Sequence, residues 1–437
     1  MILRAREKGE SARLRAAGRV GSVLAMVRRS LWRHRLSTIV TTCSVACAVG
    51  LVMSVLSIER QAYAAFTGGS GGFDAVLGAR GSQLQLVLNS VFHLETSPGN
   101  IPWSLYRAIA ADPRVEVAVP YAVGDNYRGY RIVGTTSDLF ARFEPRPGRR
   151  LEIGDGGRPF DPERREAVLG SVAARDTGLG LGSTFNPYHG LVYEETAQHP
   201  EVFTVVGVLE PTGTPVDRVV WVPIESVYRM TGHVLRGTGE AYEARAGEAI
   251  PDEHKEVSAV MLVLRGPQAG FLLNQTINRQ GKVATLAWPI ARVMADLLDK
   301  LGWVQRILTL VAYLVVLIAG GSIFACVYNT INERRHEIAV LRALGARRSR
   351  VLAVVVCEAM AIAACGAVLG FAVLAAILVP AAAVIRAQTG VVVEILAFHP
   401  AMLWTPLAMT ALGALAGLAP AVRAYATDVA QSLVPRA

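Results

Sequence analysis

Four long runs of apolar residues constrain this chain more than any other feature of its sequence. They extend over residues 36–58, 307–327, 351–379 and 402–422. A helix rises about 1.5 Å per residue, so each run is long enough to cross a hydrocarbon core of about 30 Å. The hydrophobic content of 52% in 437 residues also points to membrane segments. The sequence therefore predicts four transmembrane helices.

The first apolar run has one alternative interpretation. A basic region precedes it, and Ala62 and Ala64 provide the small residues of a cleavage site beyond it, as in a signal peptide. Its apolar length exceeds the usual h-region of about 7 to 15 residues. A retained membrane anchor is therefore favoured over a cleaved signal peptide.

Charge predicts the orientation of the spans. Residues 59–303 hold 24 Lys and Arg against 28 Asp and Glu, a balance of −4. The whole chain carries a net charge of +9, so the remaining segments together carry +13. The basic excess lies at residues 28–35 and 334–350. Basic flanks of membrane spans stay in the cytoplasm, so both termini are expected there and residues 59–303 outside. Topology and contact with anionic lipid explain the basic flanks, and no nucleic-acid partner is expected.

These spans define the expected domain organisation. In chain order we expect a basic cytoplasmic N-terminal segment (1–35), the first span (36–58), an extracytoplasmic domain (59–303), the second span (307–327), a cytoplasmic elbow (329–350), the third span (351–379), an outer loop (380–401), the fourth span (402–422) and a cytoplasmic tail (423–437).

The extracytoplasmic domain is expected to be α+β. Residues 59–150 and 255–292 mix helix-like and strand-like patterns, whereas residues 151–235 hold short β-type stretches separated by Gly, Pro and Asp. This order predicts a two-piece α/β domain with an inserted β-rich module. Apolar residues at helical spacing in residues 293–306 predict a stalk helix that continues into the second span.

The elbow carries the signals of a short amphipathic helix. Thr330 and Glu333 fit a capping box, and Gly345 stands where a helix usually stops. Apolar residues recur at helical spacing at Ile338, Leu341 and Leu344. A helix this short is marginal in water, so its apolar face is expected to pack on the membrane ends of this chain or on a separate protein.

At the elbow the sequence resembles a known family. The run ERRHEIAVLRALGA, residues 333–346, is similar to the element after the second transmembrane helix of MacB/FtsX-like permeases of ABC transporters, which include lipoprotein-releasing and MacB-type four-span permeases. Further similar runs are SLWRHRLSTIVTT (30–42), FDAVLGARGSQLQLVLNSVFH (73–93) and PAVRAYATDVAQSL (420–433). The resemblance therefore extends from one end of the chain to the other.

The resemblance implies that the elbow couples to an ABC ATPase subunit. The implied coupling residues are Glu333, Arg334, Arg335, Glu337, Ile338, Leu341, Arg342, Leu344 and Gly345. ATP and Mg²⁺ would then act in the partner, with no cofactor in this chain. The resemblance also implies a multi-pass protein of the bacterial inner membrane that works as a permease dimer, homodimeric or heterodimeric, with a periplasmic adaptor protein as a further candidate partner.

Two functions remain open from the sequence. The first is export or extraction of a hydrophobic or amphipathic substrate, powered by movement of the extracytoplasmic domain. The second is FtsX-like signalling, in which the same movement reaches an extracytoplasmic effector and nothing is transported. Division-type members have a smaller outside region, so residues 59–303 favour transport.

No catalytic pattern is found in the sequence. The one Gly-Lys pair, Gly281 and Lys282, lacks the first Gly and the Ser/Thr of a P-loop, and no G-x-S-x-G is present. The eight histidines include no H-E-x-x-H and no clustered ligand spacing. His189 and His199 are therefore expected to be surface histidines, and no metal site is expected.

The spans themselves carry one acid and two pairs of small residues. Glu358 lies within the third run, where an acid usually faces protein or water. It is interpreted as pairing with a basic residue at the inner interface, with a polar contact that changes during transport as the alternative. Gly366 with Gly370, and Gly413 with Gly417, predict close helix packing.

Overall fold

The computed structural model describes most of the chain. The described residues are 23–68, 72–145, 148, 150–191, 193–231, 233, 250–343, 346–390 and 397–426. Their contacts define two compact units. The helical unit comprises Met1–Arg60, Gly302–Ala381 and Glu394–Ala437, and the sheet unit comprises Gln61–Leu301 and Ala382–Val393. Most of the predicted basic N-terminal segment and of the predicted tail lies outside the described residues.

The described helices fall into a long and a short class. In chain order they are α1 (residues 23–33), α2 (Arg35–Gly68), α3 (Gln83–Ser90), α4 (Trp103–Ala110), α5 (Asp138–Ala141), α6 (Ser171–Thr177), α7 (Ile224–Tyr228), α8 (Pro267–Asn274), α9 (Ile290–Glu333), α10 (Arg335–Ala343), α11 (Arg348–Thr389) and α12 (Ala401–Ala426). A π-helical turn, Gln275–Gln280, follows α8.

Four of the described helices are long and apolar enough to cross a membrane, as the sequence predicts. They are α2, α9, α11 and α12. The helix α9 has 44 residues, so the predicted stalk and second span belong to one uninterrupted element. The helix α11 continues to Thr389 with Pro380 inside it, ten residues beyond the predicted end at 379. An apolar run marks the part of a helix that suits lipid, whereas backbone hydrogen bonding continues through polar and Ala-rich residues beyond it.

Ten of the described strands form one sheet. In chain order the strands are β1 (Ala75–Ala79), β2 (Ile101–Pro102), β3 (Val115–Tyr127), β4 (Tyr130–Thr135), β5 (Glu166–Leu169), β6 (Thr184–Phe185), β7 (Tyr188–His189), β8 (Phe203–Val208), β9 (Val220–Pro223), β10 (Glu256–Val257), β11 (Ala259–Leu264) and β12 (Ala284–Ala287). The sheet order is β12-β1-β11-β3-β4-β9-β5-β8-β6, with β7 beside β3, and β10 pairs with β2 separately. The pairs β4–β9 and β5–β8 are parallel and the others are antiparallel.

Both faces of this sheet are buried. Val76 and Leu77 are neighbours in β1 and fully buried, and they belong to separate apolar cores. Successive side chains of a strand point to opposite faces, so each strand feeds two cores. Helix α3 adds Leu86 to the core of Val76, whereas α8 adds Leu273 to the core of Leu77. The sheet unit is therefore a layered α/β structure, which agrees with the predicted α+β class.

The predicted inserted module at residues 151–235 is not a separate sheet. Its strands β5, β6, β8 and β9 extend the sheet that the surrounding segments begin, since β9 pairs with β4 in parallel and β5 pairs with β9. Residues 151–235 also belong to the same compact unit as residues 61–150. The sequence pattern shows where the strands become short. It does not show which strands they pair with, because that depends on which edge strands still have unpaired backbone groups.

Two glycines of α11 pack against α2. A Cβ atom on Gly366 would lie 2.5 Å from Cγ1 of Val45, and one on Gly370 would lie 2.8 Å from Cγ1 of Val49. Side-chain carbons do not approach this closely, so only glycine permits the observed separation of the two helices. Gly50 of α2 packs against α11 in the same way, because a Cβ atom on Gly50 would lie 2.5 Å from Cβ of Val373. Such small-residue faces let membrane helices approach and gain dispersion contacts.

Two glycines of α12 pack against the next face of α11 in the same way. A Cβ atom on Gly413 would lie 2.5 Å from Cβ of Ala363, and one on Gly417 would lie 2.6 Å from Cβ of Ala359. Both alanines are buried in the apolar core of the helical unit. The glycine pairs singled out from the sequence thus lie at two helix contacts, with α11 in the middle.

Candidate functional site

The elbow is a short helix at the end of α9. Helix α9 ends at Glu333, Arg334 interrupts the helix, and α10 runs from Arg335 to Ala343. Leu341 lies within α10, as predicted, whereas Leu344 and Gly345 lie outside the described residues. The predicted elbow at 329–350 therefore contains the last turn of α9, all of α10 and the start of α11.

Ionic contacts connect the elbow to the start of the chain. Nη1 of Arg33 lies 2.5 Å from Oε1 of Glu337, and Nε of Arg334 lies 3.2 Å from Oε2 of the same carboxylate. Nδ1 of His34 lies 3.1 Å from Oε2 of Glu333. The hydrogen bonds from Arg33 and then Arg334 hold the pKa of Glu337 below its usual range. Glu337 is therefore a carboxylate shared by two arginines, one on each side of the elbow contact.

Glu358 is buried beside this contact. Its side chain is 5% exposed, and its Oε1 accepts a hydrogen bond of 2.7 Å from Oγ of Ser30. Oγ of Ser30 in turn accepts a bond of 2.7 Å from Nη1 of Arg334. The basic group expected near Glu358 is thus Arg334, and a serine of α1 lies between them. Three segments, α1, the elbow and α11, meet in one polar chain of contacts.

The helix α10 has an inner and an outer face. Ala339 is 3% exposed, and Ile338 is half-buried and lines an apolar cavity of about 80 Å³ together with Met26 and Val351. The opposite side presents Val340, which is 38% exposed. His336 and Arg335 are exposed on the same helix. The sequence left open whether the apolar face of the elbow helix packs on the membrane ends of this chain or on a separate protein. Within this chain Ala339 is buried and Ile338 is half-buried.

The outer face of α10 is exposed in this chain. Among the coupling residues implied by the sequence, Arg335 is exposed, whereas Arg334, Glu337 and Ile338 contact other helices of this chain. The elbow is connected to α1 through Arg33–Glu337 and through Arg334, which donates to Ser30. Ser30 in turn donates to Glu358 of α11.

A second polar cluster, which the sequence did not predict, lies in the sheet unit. It comprises Asp125, His189, His199 and His233, whose ligand atoms all lie within 4.8 Å of one another. The expectation of an unremarkable surface histidine is wrong for His199, whose side chain is 6% exposed. Burial raises the pKa of Asp125, but hydrogen bonds with His199 and His233 outweigh burial and hold that pKa at about 2. The one available signal in the sequence is an acid, Asp125, near the end of strand β3, after the mostly apolar run of residues 117–123.

Family models match both parts of this architecture. A model described as the MacB-like periplasmic core domain matches residues 38–264, just over half of the chain, and one described as the FtsX-like permease C-terminal matches residues 309–429. The chain belongs to the MacB/FtsX-like permease family of ABC transporters. Members of this family are permease components with apolar membrane helices and a periplasmic domain, so the predicted family and fold class are confirmed.

Two curated relatives carry the name macrolide export ATP-binding/permease protein MacB. The one from Azoarcus sp. is 28% identical over 186 residues, covering 39% of this chain and 24% of the relative. The one from Burkholderia cenocepacia is 22% identical over 373 residues, covering 81% of this chain and 50% of the relative. This permease-family chain therefore spans half or less of the length of these relatives.

Two solved structures are also similar to the chain. The periplasmic region of MacB from Actinobacillus actinomycetemcomitans aligns with a TM-score of 0.31 and 10% identity, covering 52% of this chain and 94% of that structure. The extracellular domain of a noncanonic ABC-type transporter, YknZ, from Gram-positive bacteria aligns with a TM-score of 0.27 and 16% identity, covering 48% of this chain and 97% of that structure.

Proposed function

We propose that this chain is the membrane subunit of an ABC transporter and that a separate ATPase subunit drives it through the elbow. The observation that carries the proposal is the two-sided geometry of α10. Its inner face is attached to α1 through Arg33–Glu337, and Ile338 on the same face lies beside Val351 of α11. Its outer face leaves Val340 exposed. An exposed apolar residue on a short cytoplasmic helix suits contact with a protein partner.

The proposed division of labour places the chemistry in the partner. The names of the relatives combine ATP binding with permease activity, whereas the 437 residues of this chain contain no P-loop pattern. ATP and Mg²⁺ therefore bind to the ATPase subunit in this proposal. ATP-driven closure of the partner moves α10, and α9 carries that movement from Glu333 towards Ile290. A continuous helix supports such transmission because its backbone hydrogen bonds resist bending.

The proposed work is export or extraction of a hydrophobic or amphipathic substrate. The sheet unit, with Gln61–Leu301 as its main segment, is large enough to be a moving binding domain rather than a short tether. The FtsX-like alternative uses the same movement to activate an extracytoplasmic effector, and transport assays distinguish the two. In both versions the chain is a multi-pass protein of the bacterial inner membrane with both termini in the cytoplasm.

Assembly is part of the proposal. Four spans form a small bundle, and a permease dimer, from two copies of this chain or from two different chains, would enlarge it. Exposed apolar residues on α9, such as Leu310 at 70% exposure, suit contact with lipid or with a second permease. A periplasmic adaptor protein is a further proposed partner.

The decisive experiment changes the outer face of α10 alone. Val340→Asp puts a charge on the proposed docking face, at a cost of a few kcal/mol if that face is desolvated in the complex. We expect the variant to insert in the membrane normally, to lose co-purification with the ATPase and to lose stimulation of its activity. Val283→Asp is the matched control, because Val283 is 68% exposed and lies in the sheet unit. Equal ATPase binding by Val340→Asp and wild type would remove α10 as the docking element.

A further inference from the structure

The cluster in the sheet unit has the composition of a metal site. Its four side chains come from separate segments: Asp125 from β3, His189 from β7, His199 from the segment before β8, and His233 from the segment after α7. Asp125 and His189 are directly opposite each other in the antiparallel β3–β7 pair. The register between β3 and β4 shifts between Val123 and Asp125, which is the irregularity expected where a strand re-aims a side chain.

The three distances from Asp125 to the histidines match the edges of a tetrahedron. Oδ1 of Asp125 lies 3.2 Å from Nε2 of His199, 3.2 Å from Nε2 of His233 and 3.4 Å from Nδ1 of His189. Tetrahedral Zn²⁺ holds nitrogen and oxygen ligands at about 2.0–2.1 Å, which places its ligand atoms about 3.3 Å apart. The oxygen of Asp125 is thus at the expected edge length from all three imidazole nitrogens.

The three rings are arranged evenly around this oxygen. Their centroids are 5.4 Å apart in every pair, and their planes are inclined by 61° to 79°. Stacked or coplanar rings would instead indicate packing of the rings on one another. The three imidazoles therefore approach Asp125 from different directions.

Two buried carboxylates in and beside the cluster each have one oxygen without a hydrogen-bond partner among the described residues. Asp125 is 1% exposed, and its Oδ2 has no hydrogen-bond partner among the described residues. Glu201 is 6% exposed, and its Oε2 likewise has no hydrogen-bond partner among the described residues. No lysine or arginine of the described residues forms an ion pair with either carboxylate. A buried carboxylate is costly unless a cation or sufficient hydrogen bonds compensate it, and a divalent ion would supply that charge.

Glu201 occupies the position of a supporting group behind one ligand. Its Oε2 lies 4.0 Å from Nδ1 of His199, on the opposite side of the ring from Asp125. Its Oε1 accepts hydrogen bonds of 2.8 Å and 2.7 Å from the backbone N–H and hydroxyl of Thr231, two residues before His233. Metal-bound histidines commonly have a carboxylate near their second ring nitrogen, which fixes the tautomer and orientation.

We infer that these four side chains bind a divalent transition metal, with Zn²⁺ as the ion that fits best. Three imidazoles and one carboxylate are typical zinc ligands, whereas Mg²⁺ and Ca²⁺ prefer oxygen ligands throughout. Four protein ligands close the coordination sphere, so the site is not a hydrolytic centre. The metal connects β3, β7, the segment before β8 and the segment after α7. His189 is 60% exposed and gives the ion a route from solvent. The inference does not depend on the elbow, because all four ligands lie in the sheet unit.

The first test measures metal binding by the full chain. The protein is purified in detergent through a tag without histidine, stripped with a chelator and titrated with Zn²⁺ against a chromogenic competitor. We expect one tight Zn²⁺ site per chain. Co²⁺ alone should give the intense visible absorption of tetrahedral coordination, and Mg²⁺ should not compete.

The variants separate a metal site from a hydrogen-bonded cluster. His189→Ala removes the most exposed ligand and should lower Zn²⁺ affinity by at least about 100-fold while leaving the core intact, and Glu201→Gln should lower it by about 10- to 100-fold. His254→Ala is the matched control, because His254 lies in the sheet unit outside the cluster and should leave affinity unchanged. Zn²⁺ should also raise the unfolding temperature of the wild type and of His254→Ala, but not that of His189→Ala.

Two results would overturn the inference. One is Zn²⁺ affinity in His189→Ala equal to that of the wild type, with folding verified by limited proteolysis. The other is weak, octahedral Co²⁺ absorption in the wild type, which would assign the histidines to a hydrogen-bonded cluster around Asp125. If His189→Ala is unstable, Glu201→Gln decides the same question, since Glu201 is not a ligand and affects a metal only through the positions of His199 and His233.

Discussion

Nη1 of Arg33 lies 2.5 Å from Oε1 of Glu337, although 304 residues separate them in the chain. Both side chains are partly exposed, at 67% and 43%, so the attraction is screened by solvent. Its importance is positional, because it attaches the C-terminal end of α1 to the elbow. Arg334 shares the same carboxylate, so Glu337 is the common member of two ion pairs.

This sharing predicts unequal effects of removing the partners. Glu337→Gln loses both ion pairs and Arg33→Gln loses one, so the first variant should be the less stable, with each exposed pair contributing about 0.2–1 kcal/mol. Unfolding free energies in mixed detergent micelles, combined in a double-mutant cycle, measure the coupling. Arg335→Gln on the exposed side of α10 is the control. Strict additivity of the Arg33 and Glu337 variants would mean that their contact contributes nothing.

The contact between α11 and α2 should be sensitive to a single methyl group. Gly366→Ala places a Cβ 2.5 Å from Cγ1 of Val45, and the resulting overpacking should cost about 1–3 kcal/mol. Gly321→Ala in α9 meets nothing within 4 Å and should be neutral or stabilising by about 0.5–1 kcal/mol. The comparison uses the unfolding free energy of both variants in detergent. Equal effects would show that α2 and α11 separate more easily than their packing implies.

The stability of the sheet unit should depend on the ionisation of Glu166. Arg158 donates two hydrogen bonds of 2.6 Å and 2.7 Å to this carboxylate, and they hold the pKa of Glu166 below its usual range. A lowered pKa stabilises the folded state above the ordinary value of about 4.3, and the effect is lost as pH falls through the folded value. Wild type should therefore unfold at a higher temperature than Glu166→Gln near neutral pH, and the difference should vanish in acid.

The pH series needs one neighbouring control. Glu163 is exposed, and Glu163→Gln should follow the wild-type curve at every pH. A difference between wild type and Glu166→Gln that persists unchanged into strong acid would assign the effect to packing rather than to the charge.

The proposed topology predicts opposite labelling of two exposed positions. In a cysteine-free background, Asp155→Cys should react with a membrane-impermeant maleimide added from outside. Arg347→Cys should react only after the membrane is permeabilised, because the basic elbow is expected in the cytoplasm. Asp155 and Arg347 are both exposed, so burial does not confuse the comparison. Labelling of position 347 alone from outside would reverse the orientation.

Breaking α9 should separate ATP hydrolysis from transport. Leu301→Pro removes a backbone donor and clashes with the preceding turn, at a local cost of about 3 kcal/mol or more. Leu301 is 49% exposed, and Leu301→Ala keeps the helix while removing the same side chain. In the reconstituted complex we expect the proline variant to retain ATPase binding and hydrolysis and to lose substrate export, or effector activation under the signalling alternative. A folded proline variant with full export would exclude α9 as the transmitting element.

The features of this protein that depend on local composition were predictable from the sequence. Four apolar runs gave the four spans, because the length and polarity of a segment decide whether it suits lipid. The elbow helix and the family resemblance were also readable, since the motif around Glu333 is contiguous in the chain. The ends of α9 and α11 were less predictable, because backbone hydrogen bonding continues beyond the apolar residues.

Contacts between residues far apart in the sequence could not be predicted and are seen only in the folded structure. Asp125 and His233 are 108 residues apart, and their contact depends on strand register and on the segment after α7, neither of which leaves a periodic signal. The inner face of α10 was likewise undetermined, because Ile338 and Val340 are both apolar and only packing against α1 and α11 distinguishes them. Hydrophobic periodicity records that a residue is buried. The identity of its neighbours is set by the assembled fold, because contacts between segments far apart in sequence form only when the sheet and the helices have assembled.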